Sequence, residues 1–187
     1  MIAVELAATL ADELRRRAEG LPITVICAGA RELPTLPGEP AAACIVPMQT
    51  AQLFGGAEGR AGFFASVRPR LAAGALLALA IGEELDIFEA GPDSLLPVPD
   101  RGRFGATTYV SRPTAVRSQR DAWVLERERT ATDPQGSRTA PDMILLDRVT
   151  RAQVEREAAA FGLAAEAPRV IPETSEYVPS TVVMLRA

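Results

Sequence analysis

The stretch MIAVELAATLADELRRRAEG, residues 1–20, joins a short apolar strand to a helix through an acidic residue at the strand's tip. Residues 1–6 predict the strand, and residues 7–19 place alanine and leucine at helical spacing. Three arginines lie late in the helix, where cations suit its dipole, and Gly20 follows as a terminator. This opening is typical of an α/β protein.

Three further apolar runs predict strands in the first half: ITVICAGA (23–30), AAACIVP (41–47) and GALLALAIG (74–82). A helix is expected from about Glu58 to Ala72, bent or shortened by Pro69. Strands that alternate with helices predict a parallel sheet with crossover connections. Because the strands are apolar on both faces, we expect the sheet to be covered on both sides.

The second half has a different pattern. After a predicted loop over 88–106, shorter and more alternating segments indicate antiparallel strands, including AWVLERERT (122–130) with one solvated face. Thr150 and Gln153 form a capping box for a last helix, which two closing strands follow, RVIPET (169–174) and STVVMLRA (180–187). The predicted fold class is α/β: a Rossmann-like, mostly parallel sheet with helices on both faces, plus an antiparallel β extension in the C-terminal half. We expect a single domain over 1–187, with a parallel cofactor half (1–87), the extension (105–149) and a closing helix and strand pair (150–187).

Composition excludes several classes of function. The 187 residues are 48% hydrophobic and 24% charged, with a net charge of −4 and no basic face, so no nucleic-acid partner is expected. No apolar run is long enough to span a bilayer and no basic leader opens the chain, which predicts no membrane partner and a cytoplasmic location. Histidine is absent, which excludes histidine-based zinc sites and Ser-His or Cys-His catalytic pairs.

The informative residues are those just past each strand, because ligands of open parallel sheets sit beyond the carboxyl ends of the strands. Glu5 follows the first strand, and its two carboxylate oxygens can accept both hydroxyl hydrogens of a ribose. CAGAREL (27–33) follows the second strand and PMQT (47–50) the third. Glu83 and Glu84 follow the fourth; they could face a second substrate, but exposure to solvent is expected.

These segments, in this order and spacing, resemble the class I S-adenosylmethionine-dependent methyltransferases, especially the small bacterial ones, over essentially the whole chain. AVEL (3–6) resembles the family's second strand with its ribose-binding acid, and AGAREL (28–33) resembles the ADARDL segment that flanks the adenine. ACIVPMQTAQLF (43–54) resembles the fourth strand and the motif facing the transferable methyl group. RPRLAAGALLALA (68–80) resembles the hLrPGG helix end and the fifth strand.

The resemblance implies S-adenosylmethionine as cofactor, a small-molecule methyl acceptor and no metal. Gly29 replaces the family's acid, so the side-chain acceptor for the adenine amino group is missing. Gln52 is expected on a helix surface and Trp123 in the core. By position the implied cofactor contacts are Glu5, Leu6, Ala28, Gly29, Ala30, Arg31 and Pro47, the catalytic residues Met48, Gln49 and Thr50, and the substrate contacts Tyr109 and Arg112.

One part of the family pattern has no counterpart in the sequence: the first strand and its glycine-rich loop, which lies centrally between the second and fourth strands. Either MIAVEL pairs directly with AACIVP, or another chain fills the gap, or the protein begins further upstream. We favour the last, because a GTG codon within a valine-rich strand is easily read as a start. We expect methyl transfer by the 187-residue chain to be impaired.

Two other functions fit the residues. A non-catalytic remnant of the same fold could act as a binding or assembly module. A nicotinamide-dependent oxidoreductase would also use Glu5 on a ribose, but it needs a G-x-G-x-x-G loop, and PMQT offers no partner for hydride transfer.

Overall fold

A computed structural model describes residues 1–33, 38–91, 97–174 and 177–187 of the chain. Its first half alternates strands and helices as the apolar runs predict. In chain order these elements are β1 (Ile2–Glu5), α1 (Ala8–Arg17), β2 (Thr24–Cys27), β3 (Ala41–Val46), α2 (Gly56–Val67) and β4 (Leu71–Ile81). Helix α2 ends at Val67 and continues as a 3-10 turn, Arg68–Arg70, because Pro69 cannot donate a backbone hydrogen bond.

The second half is an antiparallel sheet followed by a closing helix and strands. The sheet, called the ribbon below, contains β5 (Phe88–Glu89), β6 (Asp100–Phe104), β7 (Thr107–Ser118), β8 (Ala122–Asp133) and β9 (Gly136–Asp147). The prediction of a loop throughout 88–106 is wrong, since β5 and β6 both pair with β7; residues 92–96 lie outside the described part. The remaining elements are α3 (Arg151–Ala159), β10 (Ala164–Ala165), β11 (Arg169–Ile171) and β12 (Ser180–Arg186).

The parallel strands form two separate groups. Strand β1 is parallel to β2, while β3 is parallel to β4, and β12 joins the other edge of β4 in the antiparallel sense. Within the described ranges, β1 pairs only with β2 and β3 only with β4. The first option for the gap, direct pairing of MIAVEL with AACIVP, is therefore wrong.

Burial differs between β4, which has a neighbour on both sides, and β1 and β3, which each have one open edge. In β4, Leu77, Leu79 and Ile81 on one face are fully buried, and Leu76, Ala78 and Ala80 on the other face are half-buried. In contrast, Val4 of β1 is 36% exposed and Ile45 of β3 is 73% exposed. The prediction that every strand is covered on both faces fails for β1 and β3, because each has a neighbour on one side only.

Polar contacts connect the β1–β2 pair to the rest of the molecule. The 3-10 turn Ala30–Glu32 after β2 packs on α2, where the Arg31 guanidinium donates to the Phe54 carbonyl oxygen at 3.2 Å. The Leu33 amide donates to Ser66 Oγ at 2.6 Å. The guanidinium of Arg16 in α1 lies over the Phe104 ring of the ribbon, 4.9 Å from its centroid.

The hydrophobic core lies where β4, α2 and α3 meet. Phe64 of α2 and Val154 and Ala158 of α3 are fully buried there. Thr150 accepts a hydrogen bond from the Gln153 amide at 3.3 Å and so caps α3 as predicted, but the Gln153 side chain donates to Glu157 at 3.0 Å and does not complete the capping box. None of the helices in the described ranges is both long and apolar enough to cross a membrane.

Candidate functional site

The carboxyl ends of β1 and β2 lie side by side. Glu5 is in register with Cys27, and the Ala28 amide donates to the Glu5 carbonyl oxygen at 3.0 Å. A Cβ placed on Gly29 would lie 3.8 Å from Leu6 Cδ1. The structure thus brings together four of the residues that the sequence predicts for the cofactor: Glu5, Leu6, Ala28 and Gly29.

The Glu5 carboxylate is held in position by the start of α1. Its Oε1 accepts a hydrogen bond from the Ala7 amide at 2.8 Å, which satisfies one of the unpaired donors of this helix terminus. The side chain is half-buried, and no described residue donates to its other oxygen, Oε2. The carboxylate is therefore oriented by the protein, with Oε2 open to a ligand and a second lone pair left on Oε1.

Ala30 and Arg31 occupy the turn after β2. The Arg31 side chain crosses α2, where a Cβ on Gly62 would lie 3.6 Å from Arg31 Cβ. Together with its hydrogen bond to the Phe54 carbonyl, this contact makes Arg31 a structural link between the turn and α2. Any part it plays for a cofactor must come from its backbone or its exposed surface.

The tip of β3 has a special backbone conformation. Met48 has φ 54°, the one positive φ at a non-glycine residue in the described chain, and its side chain is 68% exposed. Such strain often occurs at functional sites. The Thr50 hydroxyl donates to the Pro47 carbonyl oxygen at 2.8 Å, so it stabilises the turn. The Gln49 side chain lies beside Gly82, with Cγ 3.7 Å from a Cβ placed there.

Gln52 is a central residue that the sequence analysis places wrongly. It is 1% exposed, because the 3-10 turn Thr50–Leu53 directs it inward. Its amide accepts from the Gly82 amide at 2.7 Å and donates to the Gly82 carbonyl at 3.1 Å and the Asp147 carbonyl at 2.7 Å. No local pattern signals this role, since the partners are 30 and 95 positions away.

Arg60 anchors the ribbon to the two core helices. It is 2% exposed, and its guanidinium contacts Asp147 at 3.0 Å and Glu157 at 2.7 and 3.0 Å. Asp147, the last residue of β9, also accepts from the Gly56 amide at the start of α2. Burial opposes ionisation of Glu157, but hydrogen bonds from Arg60 and Gln153 outweigh it and lower the Glu157 pKa. This network fixes the base of the ribbon beside the tip of β4.

A cavity of about 570 Å³ lies where the ribbon base meets the tip of β4. None of residues 47–50 lines it, and its link to the tip of β3 runs through Gly82, whose Cβ position lies 3.7 Å from both Leu85 Cδ2 in the cavity wall and Gln49 Cγ. Trp123 is 5% exposed, which confirms it as a core residue, and Arg148 covers its ring at 4.4 Å. The residues that line the cavity are Glu84, Leu85, Asp86, Pro97, Trp123, Arg148, Glu173, Thr174, Tyr177, Val178 and Pro179.

Tyr109 and Arg112, the two residues implied as substrate contacts, are absent from the cavity lining. Tyr109 pairs with Ala131 toward the far end of the ribbon, whereas Trp123 pairs with Ser118 at its base. The distance along β7 between Tyr109 and Ser118 is about 30 Å. Both side chains are exposed, and the structure brings neither of them to the strand tips.

The fold is that of the class I S-adenosylmethionine-dependent methyltransferases, which confirms the predicted Rossmann-like α/β class. No family model matches the sequence, and no curated protein is significantly similar to it. Solved structures match it closely in shape, at identities that establish the fold alone.

One such structure is CalS10 with S-adenosylmethionine bound, an amino pentose methyltransferase from Micromonospora echinaspora, with 19% identity and a TM-score of 0.67 over 100% of this chain and 73% of that one. The sugar N-methyltransferase KedS8 from a Streptoalloteichus species is 15% identical, with a TM-score of 0.71 over 100% of this chain and 71% of that one. An S-adenosylmethionine-dependent methyltransferase from Clostridium acetobutylicum is 11% identical, with a TM-score of 0.71 over 99% and 74%.

Proposed function

We propose that this protein transfers a methyl group from S-adenosylmethionine to a small-molecule acceptor in the cytoplasm. The observation that carries the proposal is the Glu5 carboxylate: it lies at the end of β1, is oriented by the Ala7 amide and stands beside the turn after β2. This arrangement suits a ribose bound at the tips of parallel strands. The solved methyltransferases that share the fold support the same interpretation.

The residues at the three strand tips have separate roles in this proposal. Glu5 accepts hydrogen bonds from the ribose hydroxyls, and Ala28, Gly29 and Ala30 line the adenine with small side chains and backbone. When bound, S-adenosylmethionine supplies an electrophilic methyl group on a sulfonium. Pro47, Met48, Gln49 and Thr50 shape the space between methyl group and acceptor. Because an in-line displacement depends mainly on positioning, the absence of histidine is compatible with it.

The 187-residue chain binds this cofactor weakly in our proposal. Two features support weak binding: the open edges of β1 and β3, and Gly29 in place of a side-chain acceptor for the adenine. Main-chain donors that approach the cofactor from a glycine-rich loop cannot be replaced by the residues at the other strand tips. The proposed function therefore combines a recognisable nucleoside site with low affinity.

Calorimetric titration of the 187-residue chain with S-adenosylhomocysteine and, separately, with NAD⁺ tests the proposal. We expect saturable heat with S-adenosylhomocysteine at high micromolar to millimolar concentration and none with NAD⁺. Tighter binding of NAD⁺ would favour the oxidoreductase. Heat with neither ligand would overturn the proposal in favour of a binding or assembly module of the same fold.

A further inference from the structure

The cavity at the ribbon base has a marked excess of negative charge. Three carboxylates line it, from Glu84, Asp86 and Glu173, against one guanidinium, that of Arg148. No cation pairs with these three carboxylates among the described residues. The Arg148 guanidinium is itself engaged, since it covers the Trp123 ring and donates to Ser118 Oγ at 3.0 Å. A ligand in this cavity therefore meets uncompensated negative charge.

We propose that this cavity holds the methyl acceptor and selects a cationic amine, an inference that rests on the proposed function and deepens it. Its volume of about 570 Å³ is that of a small-molecule site. The Tyr177 ring in its lining suits an organic cation, which is attracted to the face of such a ring, whereas Arg148 already covers the Trp123 ring. The described residues form no group of three acids close enough to hold a metal ion.

A second unsatisfied group lies in the same wall. The Trp123 indole N–H is buried and has no acceptor among the described residues. Buried donors are rarely left without a partner, and each exception calls for an explanation. Because less than 1 Å² of this nitrogen is exposed, a shift of its surroundings would let an oxygen of the acceptor molecule accept the hydrogen bond while the ammonium group faces the carboxylates.

The cavity is also in the right place for the reaction. Leu85 in its wall and Gln49 at the tip of β3 both contact the Cβ position of Gly82. None of residues 47–50 lines the cavity itself, so the proposal directs the nitrogen of a bound amine past Leu85 toward Gln49. After loss of one proton to solvent, the nitrogen lone pair attacks the methyl carbon as the carbon–sulfur bond breaks. The bonding pair stays on sulfur, which gives S-adenosylhomocysteine and an N-methylammonium product.

Trp123 provides the readout, because it is the single tryptophan of the chain. The experiment titrates the 187-residue chain at pH 7 with benzylamine, which is cationic there, and with benzyl alcohol, its neutral counterpart. We expect a saturable change in Trp123 fluorescence with benzylamine and binding at least about tenfold weaker with benzyl alcohol, a difference of about 1.4 kcal/mol. Equal affinity for the two probes, or no saturable change with benzylamine, would overturn the proposal.

Two variants test whether the carboxylates of Glu84 and Asp86 are responsible for binding benzylamine. Glu84→Gln with Asp86→Asn should weaken benzylamine binding by about tenfold and leave benzyl alcohol unaffected. Glu128→Gln removes one charge from an exposed position on the ribbon outside the cavity and should change neither. An unchanged affinity of the double variant for benzylamine would contradict the assignment.

A parallel titration of the wild-type chain with S-adenosylhomocysteine separates this proposal from the proposed function. Benzylamine binding without S-adenosylhomocysteine binding would retain the amine site and overturn the methyl-transfer function. S-adenosylhomocysteine binding without benzylamine binding would overturn the amine site alone.

Discussion

At the scale of single residues, two glycines in α2 show how closely this helix is packed. A Cβ on Gly59 would lie 1.7 Å from the Phe54 carbonyl oxygen, a backbone atom that cannot move aside. A Cβ on Gly62 would lie 3.6 Å from Arg31, at ordinary contact distance. Both positions are glycines of the same helix, but only Gly62 has room for a methyl group.

Gly59→Ala is expected to lower the free energy of unfolding by at least about 2 kcal/mol, because it forces the α2 backbone away from Phe54. Gly62→Ala is the matched control and should raise it by up to about 1 kcal/mol, the gain in helix propensity. Urea denaturation of both variants measures the two values. Equal effects of the two substitutions would show that α2 does not pack on Phe54 in this way.

The positions of residues that form or lack local hydrogen bonds were predicted correctly. Thr150 caps α3 through a contact three positions away, and Pro69 ends α2 through its own missing N–H. Gln52 and Arg60 are missed because their partners lie 30 to 97 positions away. A buried polar side chain gives no periodic signal, so it looks like helix surface until the tertiary structure is known.

At the scale of elements, the contact between the ribbon and the core helices depends on Arg60. Its buried guanidinium neutralises Asp147 at the end of β9 and Glu157 on α3. Arg60→Met is expected to lower the free energy of unfolding by about 3–5 kcal/mol, because it leaves two partly buried carboxylates without their cation. The control is Arg169→Met, which removes an exposed arginine from β11. It should lower the free energy of unfolding by less than about 0.5 kcal/mol.

Denaturation monitored by circular dichroism measures both arginine variants. The Trp123 fluorescence of the folded Arg60→Met protein adds a local readout, since loss of the anchor should alter the ribbon base. A cost no greater than that of Arg169→Met would contradict the anchoring role.

Glu157 gives the same network a pH dependence. Because its folded pKa lies below the ordinary value of 4.5, its contribution to stability is complete above that value and is lost as the pH falls through the folded pKa. Glu157→Gln should therefore reduce the slope of unfolding free energy against pH below about 4.5. Denaturation curves collected from pH 6 down to pH 3 measure the slope, and an unchanged slope would show that Glu157 does not titrate with folding.

Elements were predictable where a repeating pattern marks them. The pattern in 122–130 correctly predicts an antiparallel strand, but the prediction of one solvated face is wrong: neighbours on opposite faces are both buried at Trp123 and Val124 and both exposed at Glu128 and Arg129. The short strands β5 and β6 are too brief and too polar to show such a pattern, and their pairing with β7 could not be read from the sequence. The same limit applies to Tyr109 and Arg112, whose distance from the cavity depends on strand register.

At the scale of the whole molecule, the open edges of β1 and β3 are the feature that most affects cofactor affinity. An N-terminal extension with an apolar, β-branched strand and a glycine-rich turn should raise the melting temperature by covering side chains such as Val4 and Ile45. It should also tighten S-adenosylhomocysteine binding by about tenfold or more, equal to at least about 1.4 kcal/mol.

An extension of equal length with prolines in the strand is the matched control, because proline cannot pair with either edge. Differential scanning fluorimetry and calorimetry measure both proteins. If the two extensions behave alike, the edges of β1 and β3 do not accept a strand.

The overall architecture was predictable because the order of strands, helices and prolines follows from local chemistry, and the resemblance of four segments set their topology. The division of the parallel strands into two groups could not be predicted, because the sequence does not show whether the edges of β1 and β3 pair with each other or stay open. The cavity was not predicted at all. It is formed by segments that lie far apart in the chain, from Glu84 to Pro179.

The most direct test of the account compares S-adenosylhomocysteine affinity in Glu5→Gln and Glu19→Gln. Glutamine at position 5 can still accept the hydrogen bond from the Ala7 amide, so the turn before α1 is kept while the carboxylate is lost. Glu19 is an exposed acid just after α1 and serves as the control. We predict at least about tenfold weaker binding for Glu5→Gln and unchanged binding for Glu19→Gln. Equal affinities in the two variants would contradict the nucleoside site at the tips of β1 and β2.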